Sequence, residues 1–409
     1  MEEDKNQNPT PSPSFVRPFL YALNRMQANE SLSADQYMDR AKRLLVERLG
    51  DEGSIPKCAF SQGVVGVMAD HTHYFDGFAL MLRMRQGVAV ALRPNKLDCH
   101  RIILEGVRDL TVRDHDIPRE AALSSLITAV YAGVGAPAKT FYDVSLVGSI
   151  PTGLGASFQA ALTVSLVRSL NALYLKAPSD PEIRVQALAA LNAWYGHRFS
   201  PAYVIGAVSN DPEPFVLIDT GTFSHLPIEI APDSKLGWGI VEWSKDWSSS
   251  YSTLGVRNDQ ASKALLDLKT RGFEKLESFR NLEHRDLEQA VDAVPRRSRS
   301  PLKHLVTENR NVQKLIVAIK KSDWQFFGAL MMISQASKTN DWSTTNLIHE
   351  LITKEAETAA LEGIFGVVQS GEGECMLVFG QPFSVPAFLD RIRELVSTHT
   401  TEEVETFII

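Results

Sequence analysis

Nine residues, Ser149-Ile-Pro-Thr-Gly-Leu-Gly-Ala-Ser157, constrain this chain more than any other stretch. An apolar run at 144–147 precedes them, and a long apolar-periodic segment starting near Phe158 follows. That order predicts a strand, a glycine turn and a helix N-terminus. Gly153 and Gly155 lack a Cβ, so the backbone can turn sharply and a ligand can approach it closely. The N–H groups of the first helical turn, with the helix dipole behind them, would then face an anion. Gly153, Gly155, Ala156 and Ser157 are therefore a candidate phosphate cradle. The same residues also make an ordinary structural turn, and this segment alone does not choose between the two.

The rest of the chain sets the context. Its 409 residues suffice for two or three domains with a sizeable core. A net charge of −7 argues against a broad surface for nucleic acid or anionic membrane, so neither is expected as a partner. Cys58, Cys99 and Cys375 are odd in number and widely spaced, which excludes a disulfide scaffold or a cysteine-rich zinc module. No apolar run reaches the roughly 18 residues a spanning helix needs. The N-terminus lacks the basic-then-apolar pattern of a signal peptide. A cytoplasmic protein is expected.

Residues 1–14, with four charged residues and three prolines, hold no apolar periodicity and are expected to be an unstructured tail. Ser33-Ala-Asp-Gln36, followed by Tyr37, Ala41, Leu44, Leu45 and Leu49, predicts a capped amphipathic helix. Residues 78–82 and 87–92 predict two paired strands joined by a charged, glycine-marked turn. Further strands are expected at 102–104 and 107–112, and helices at 121–134, 158–175 and 182–195. The character changes after Asp211-Pro-Glu-Pro214. Strands at 215–218, 226–230 and 236–241 lead into a mainly helical region, then strands at 364–368 and 375–379 and a helix over 383–396. The fold class is α+β in two lobes, 15–210 and 211–409, with the cradle candidate in the first.

Three separated segments can now be read together. Ala69-Asp-His-Thr-His-Tyr-Phe-Asp-Gly-Phe-Ala-Leu80 resembles the sugar-binding signature of galactokinases. Residues 149–161 resemble the phosphate loop of the wider GHMP kinase superfamily. Gln369-Ser-Gly-Glu-Gly-Glu-Cys375 stands where those enzymes carry a third, glycine-rich motif, contributing Gly371 and Gly373. Val216-Leu-Ile-Asp219 resembles the strand after the catalytic loop, and His304-Leu-Val-Thr-Glu-Asn-Arg310 a helix of the second lobe. The resemblance implies a two-lobed GHMP-kinase fold, a mixed α/β lobe with the phosphate loop followed by a second α/β lobe. It implies transfer of phosphate from MgATP to the anomeric hydroxyl of a monosaccharide or related small molecule. The sugar would meet Asp70, His71, His73, Tyr74 and Asp76, and the nucleotide Gly153, Gly155, Ala156, Ser157, Gly371 and Gly373. Asp70, His71 and His73 are also metal-ligand types, and alternation along an extended stretch would place the two histidines on one face, but the sequence offers no third ligand and no metal site is expected.

Several family positions depart from that pattern. Val64 stands where the family carries its catalytic arginine, and a valine cannot neutralise a phosphoryl oxygen. The family's glutamate and sugar-gripping aspartate are replaced by Asp70 and His73. The base position falls on Ala202 or Tyr203, neither a carboxylate. Ala156, Ser157, Phe158 and Gln159 follow the glycines where serines are usual, and Phe158 is placed to fill the cradle. Glu372 and Glu374 add negative charge to the third motif. Asp211 and Asp219 are the carboxylates available near the vacated base. Losing a general base costs a factor of about 10² to 10⁴ in rate, and losing the arginine about 10³ more. The expectation is a galactokinase-like fold with phosphoryl transfer impaired, acting by binding a small ligand or a protein partner. The alternative is an active kinase of altered substrate with His73 as base. Arg296-Arg-Ser-Arg299 is expected in a solvated turn, and Trp238, Trp243 and Trp247 in inter-lobe packing or on a ring ligand beside Lys245.

Overall fold

The computed structural model describes residues 32–409 other than 52, 69–70, 106–109, 113–121, 138, 152, 197, 244–247 and 372–373. The expected N-terminal tail, Asp70, Gly373, Glu372, Lys245 and Trp247 lie outside the described residues.

Helix α1 (Ala34–Leu49) starts where its sequence signal places it. The Ser33 hydroxyl accepts the Gln36 N–H, and the Gln36 side chain accepts the Ser33 N–H, so two orphan donors of the first turn are satisfied reciprocally. Tyr37, Ala41 and Leu45 recur on one face and pack on Ala89, Ala91 and Val147 of the sheet beneath.

That sheet begins with β1 (Lys57–Met68) antiparallel to β2 (Phe78–Pro94). The two strands expected at 78–82 and 87–92 are one strand of 17 residues. Gly87 does not mark a turn. A Cβ there would stand 2.2 Å from the Phe60 ring, so glycine lets β1 cross β2 closely while the chain stays extended. β3 (His100–Leu104), β4 (Leu110–Val112), helix α2 (Ala122–Val134) and β5 (Tyr142–Gly148) follow. The strand expected at 107–112 is observed from Leu110, since 106–109 lie outside the described residues. β3 and β5 pair in parallel, and Arg101 of β3 grips Asp143 of β5 through two hydrogen bonds of 2.7 and 2.6 Å.

Helix α3 (Gly155–Leu173) leaves the glycine turn after β5 and is buried on nearly every face. It therefore runs through the middle of the molecule. Ser165 and Ser169 donate to the Val88 and Val90 carbonyls of β2, so these two hydroxyls are satisfied against the sheet. Helices α4 (Asp180–Tyr195) and α5 (Pro201–Val208) lead to β6 (Phe215–Asp219) and β7 (Ser224–Ile228). Both strands pair into the first sheet, whose order is β4-β3-β5-β2-β6-β7 with β1 also on β2.

β8 (Gly237–Glu242) opens a second, antiparallel sheet. After α6 (Ser248–Lys269) and α7 (Leu287–Ala293) come the long α8 (Arg296–Lys321) and α9 (Trp324–Ser337), of which α9 packs against the second sheet at the strand over 364–369 and α8 packs on α9 and on β2. Arg296 to Arg299, expected in a solvated turn, form the first turn of α8 after Pro295 instead. Pro295 is the stronger signal, because proline halts the preceding helix and tolerates the start of the next. A π turn (Lys338–Trp342), α10 (Leu347–Thr358), β9 (Ile364–Gln369), β10 (Cys375–Gly380), α11 (Ser384–His399) and β11 (Glu405–Ile408) complete the order β11-β8-β10-β9. No helix among the described residues is long and apolar enough to cross a membrane.

Candidate functional site

The glycine turn, the third motif and the segment at 200–203 converge on one place. Gly371 adopts φ +77°, a backbone conformation costly for side-chain-bearing residues, and a Cβ there would stand 3.0 Å from Leu154 Cα. This contact lets the Gly371 carbonyl accept the Ala156 N–H (3.1 Å), a donor of the first turn of α3. The Gly371 N–H in turn donates to the Tyr203 hydroxyl (2.9 Å). Ser370 donates its hydroxyl to the Gly66 carbonyl of β1 (2.7 Å), and Lys338 donates to the Gln369 carbonyl (2.6 Å). The third motif is thus tied to the phosphate loop, to β1 and to α5 by hydrogen bonds from consecutive residues.

Tyr203 and Ala202 are both fully buried. Substituting Tyr203→Phe should leave the buried Gly371 N–H without this acceptor, at a cost of about 1–3 kcal/mol. A urea titration of the two proteins checks this, and equal stability would mean the bond contributes nothing.

Across from α5, Val64 is 1 % exposed, and its methyls fill the space above Gly206, where an added Cβ would stand 2.8 Å from Cγ2. Val64 and Gly206 interlock as core residues.

The cradle itself meets a carboxylate. Glu242, the last residue of β8, is 1 % exposed, and its Oε2 accepts the Gly153 N–H. A Cβ on Gly153 would fall 2.4 Å from that oxygen. Pairing of β8 with β10 sets Glu242 opposite Cys375, directly after the third motif, which brings its side chain to the turn. Ser157 is wholly buried, and its hydroxyl has no hydrogen-bond partner among the described residues. A Cβ on Gly63 of β1 would stand 3.1 Å from it.

Phe158, expected to fill the cradle, joins the hydrophobic core with Leu154 and Leu162. The group that reaches the cradle is Glu242, which the sequence reading did not single out. Its one signal was a charge closing the apolar run at 236–241.

The sugar-signature segment is a single 3-10 turn (Thr72–Phe75) rather than an extended stretch, so the alternation expected for its two histidines does not apply. His73 and Tyr74 take part through their backbones. The turn is closed by Gly77 N–H to Thr72 carbonyl (3.0 Å) and by Asp76 at φ 60°. His71 is buried and stacks on Trp342 of the π turn at 5.1 Å between ring centres, and Trp342 stacks on His304 of α8 at 4.9 Å. Asn309, in the segment 304–310 singled out from sequence, accepts the Phe78 N–H (2.9 Å).

Arg280 adds the remaining anchor. It donates to both oxygens of Asp219 (2.7 and 3.1 Å), to the Asp76 carbonyl (3.1 Å), and lies over the Phe78 ring at 4.5 Å. Burial would raise the Asp219 carboxyl, but the Arg280 bonds and the Thr222 and Gly221 N–H groups outweigh it and hold the group below the usual range. Nothing in the sequence pointed to Arg280. Asp211 is engaged as well, by Arg83 and by His225 at 3.0 Å each. Both carboxylates considered as replacement bases therefore serve ion pairs. Trp238 stacks on Phe379 (4.3 Å) and meets Phe215 of the first sheet edge-on (5.9 Å), so it packs between the two sheets, while Trp243 meets His349 edge-on (4.7 Å).

Known proteins place this geometry. The Roseiflexus sp. galactokinase is 23 % identical over 339 residues, covering 80 % of this chain and 84 % of its own. Human galactokinase is 24 % identical over 394 residues, covering 92 % and 94 %. The Lactococcus lactis galactokinase solved with galactose superposes with a TM-score of 0.76 at 20 % identity, over 90 % of this chain and 96 % of that one. The chain is similar to galactokinases over most of its length and shares their fold. Its GHMP-kinase fold extends to Leishmania major mevalonate kinase, at a TM-score of 0.59 and 13 % identity over 86 % of this chain and 94 % of that one. No family model matches the sequence. Val64, expected at the arginine position, interlocks with Gly206 in the core, and of the two candidates for the base position Ala202 is buried and Tyr203 is bound to the third motif.

Proposed function

We propose that this protein retains the galactokinase fold to bind a monosaccharide or related small molecule and has given up ordinary phosphoryl transfer. The observation that carries this reading is that both candidates for the family's base position, Ala202 and Tyr203, are buried and uncharged, with Tyr203 engaged with Gly371. Positioning and charge neutralisation dominate phosphoryl transfer, so loss of base and arginine together removes most of the rate. The ligand would meet Asp70, His71, His73, Tyr74 and Asp76. The galactose held by the Lactococcus lactis protein makes hexoses the first class to try.

Two measurements test this together. Melting temperature is followed with a panel of monosaccharides, since a ligand bound only by the folded state raises it by mass action. ADP release is followed with MgATP and the same sugars. Stabilisation by a sugar without sugar-dependent ADP release is expected. Sustained turnover would sink the reading, and its loss in His73→Ala would point to His73 as the base.

A further inference from the structure

Glu242 places a buried carboxyl group in a site whose backbone is arranged for anions. Three facts carry the point. Its Oε2 takes the Gly153 N–H, the donor that a glycine turn before a helix offers to phosphate. It is 1 % exposed, so the carboxylate is enclosed rather than resting on the cleft surface. It arrives on β8, a strand paired on both sides by β10 and β11, so it cannot leave without disturbing the second sheet. The Ala156 N–H is also occupied, by the Gly371 carbonyl. As they stand, these residues do not fit a triphosphate. A phosphate oxygen on Gly153 would have to displace Glu242 or lie beside a like charge at contact distance, where repulsion is large in a water-poor site.

We propose that Glu242 determines which ligands the cradle admits: it excludes nucleotide phosphates and leaves the neighbouring sugar turn to neutral ligands. This deepens the reading above by naming the residue that closes the nucleotide half of the cleft.

The test compares the natural protein with Glu242→Gln and Glu242→Ala, using magnesium tripolyphosphate and MgATP as probes in calorimetric titrations. Circular dichroism and sugar-induced thermal shifts establish that each variant is folded. Glu242→Gln keeps the side chain's shape and an acceptor for Gly153, and removes only the charge. Hydrogen bonds to charged groups predict that Glu242→Ala binds tripolyphosphate roughly 10- to 100-fold more tightly than the natural protein, with Glu242→Gln between them. ADP release should stay absent in all three. Natural protein that binds tripolyphosphate as tightly as folded Glu242→Ala would overturn the proposal. So would folded variants that gain nothing. Turnover by the natural protein would instead remove the reading of Tyr203, so the two failures are distinguishable.

Discussion

Val64→Arg, which puts an arginine where the resemblance to galactokinases leads one to expect it, should destabilise the protein by about 3–5 kcal/mol and produce no sugar-dependent ADP release. The side chain is 1 % exposed and its methyls already occupy the space over Gly206 of α5. A guanidinium there must either enter the core without a buried partner or push α5 away from β1. Both cost more than a typical point substitution. Pushing α5 would also pull Tyr203 from the Gly371 N–H, loosening the third motif. Ala202→Asp meets the same barrier, since Ala202 is fully buried. Urea titrations and the ADP assay read the two effects separately. An arginine variant as stable as the natural protein, or one that turns over, would show that the site had kept room for the catalytic group.

Acid should weaken the fold well before ordinary carboxylates titrate. Burial, and next the charge of Lys338, hold His304 well below the usual histidine value and His349 down to about 3. Both are neutral when folded, while the unfolded chain protonates them near 6.5. The unfolded state therefore binds more protons as pH falls below about 6.5, and the stability these residues contribute is complete above that value and lost below it. From pH 6.5 to pH 5 His349 alone should remove roughly 1.5 kcal/mol, and His304 acts in the same direction. Asp219 acts at lower pH, because its depressed carboxyl contributes down to its own folded value. Urea midpoints at pH 7.0, 6.0 and 5.0 give the slope, and His349→Gln should make it shallower. A flat profile over this range would mean the folded protein protonates these rings without penalty.

The secondary structure around the site was largely legible from local chemistry. Ser33 with Gln36 announced α1, the alternation from apolar run to glycine turn announced β5 and α3, and Asp211-Pro-Glu-Pro214 preceded β6. Each signal acts within a few residues, through capping, glycine geometry or proline's missing N–H. The misreadings had the opposite character. Gly87 resembled a turn because the reason for its glycine, the Phe60 ring, comes from a neighbouring strand. His71 and His73 resembled an extended pair because nothing local announces the 3-10 turn, which packs on Trp342 some 270 residues away in sequence.

The sequence by itself determined that Val64, Ala202 and Tyr203 carry neither the arginine nor the carboxylate that the resemblance to galactokinases leads one to expect there, because none has that chemistry in any conformation. Only the tertiary structure decided what replaced them. Tyr203 donates nothing to Gly371 but accepts its N–H, and Glu242 reaches Gly153 across 89 residues of chain. Hydrogen bonds between segments so distant depend on sheet register and lobe packing, and no local pattern of residues encodes them.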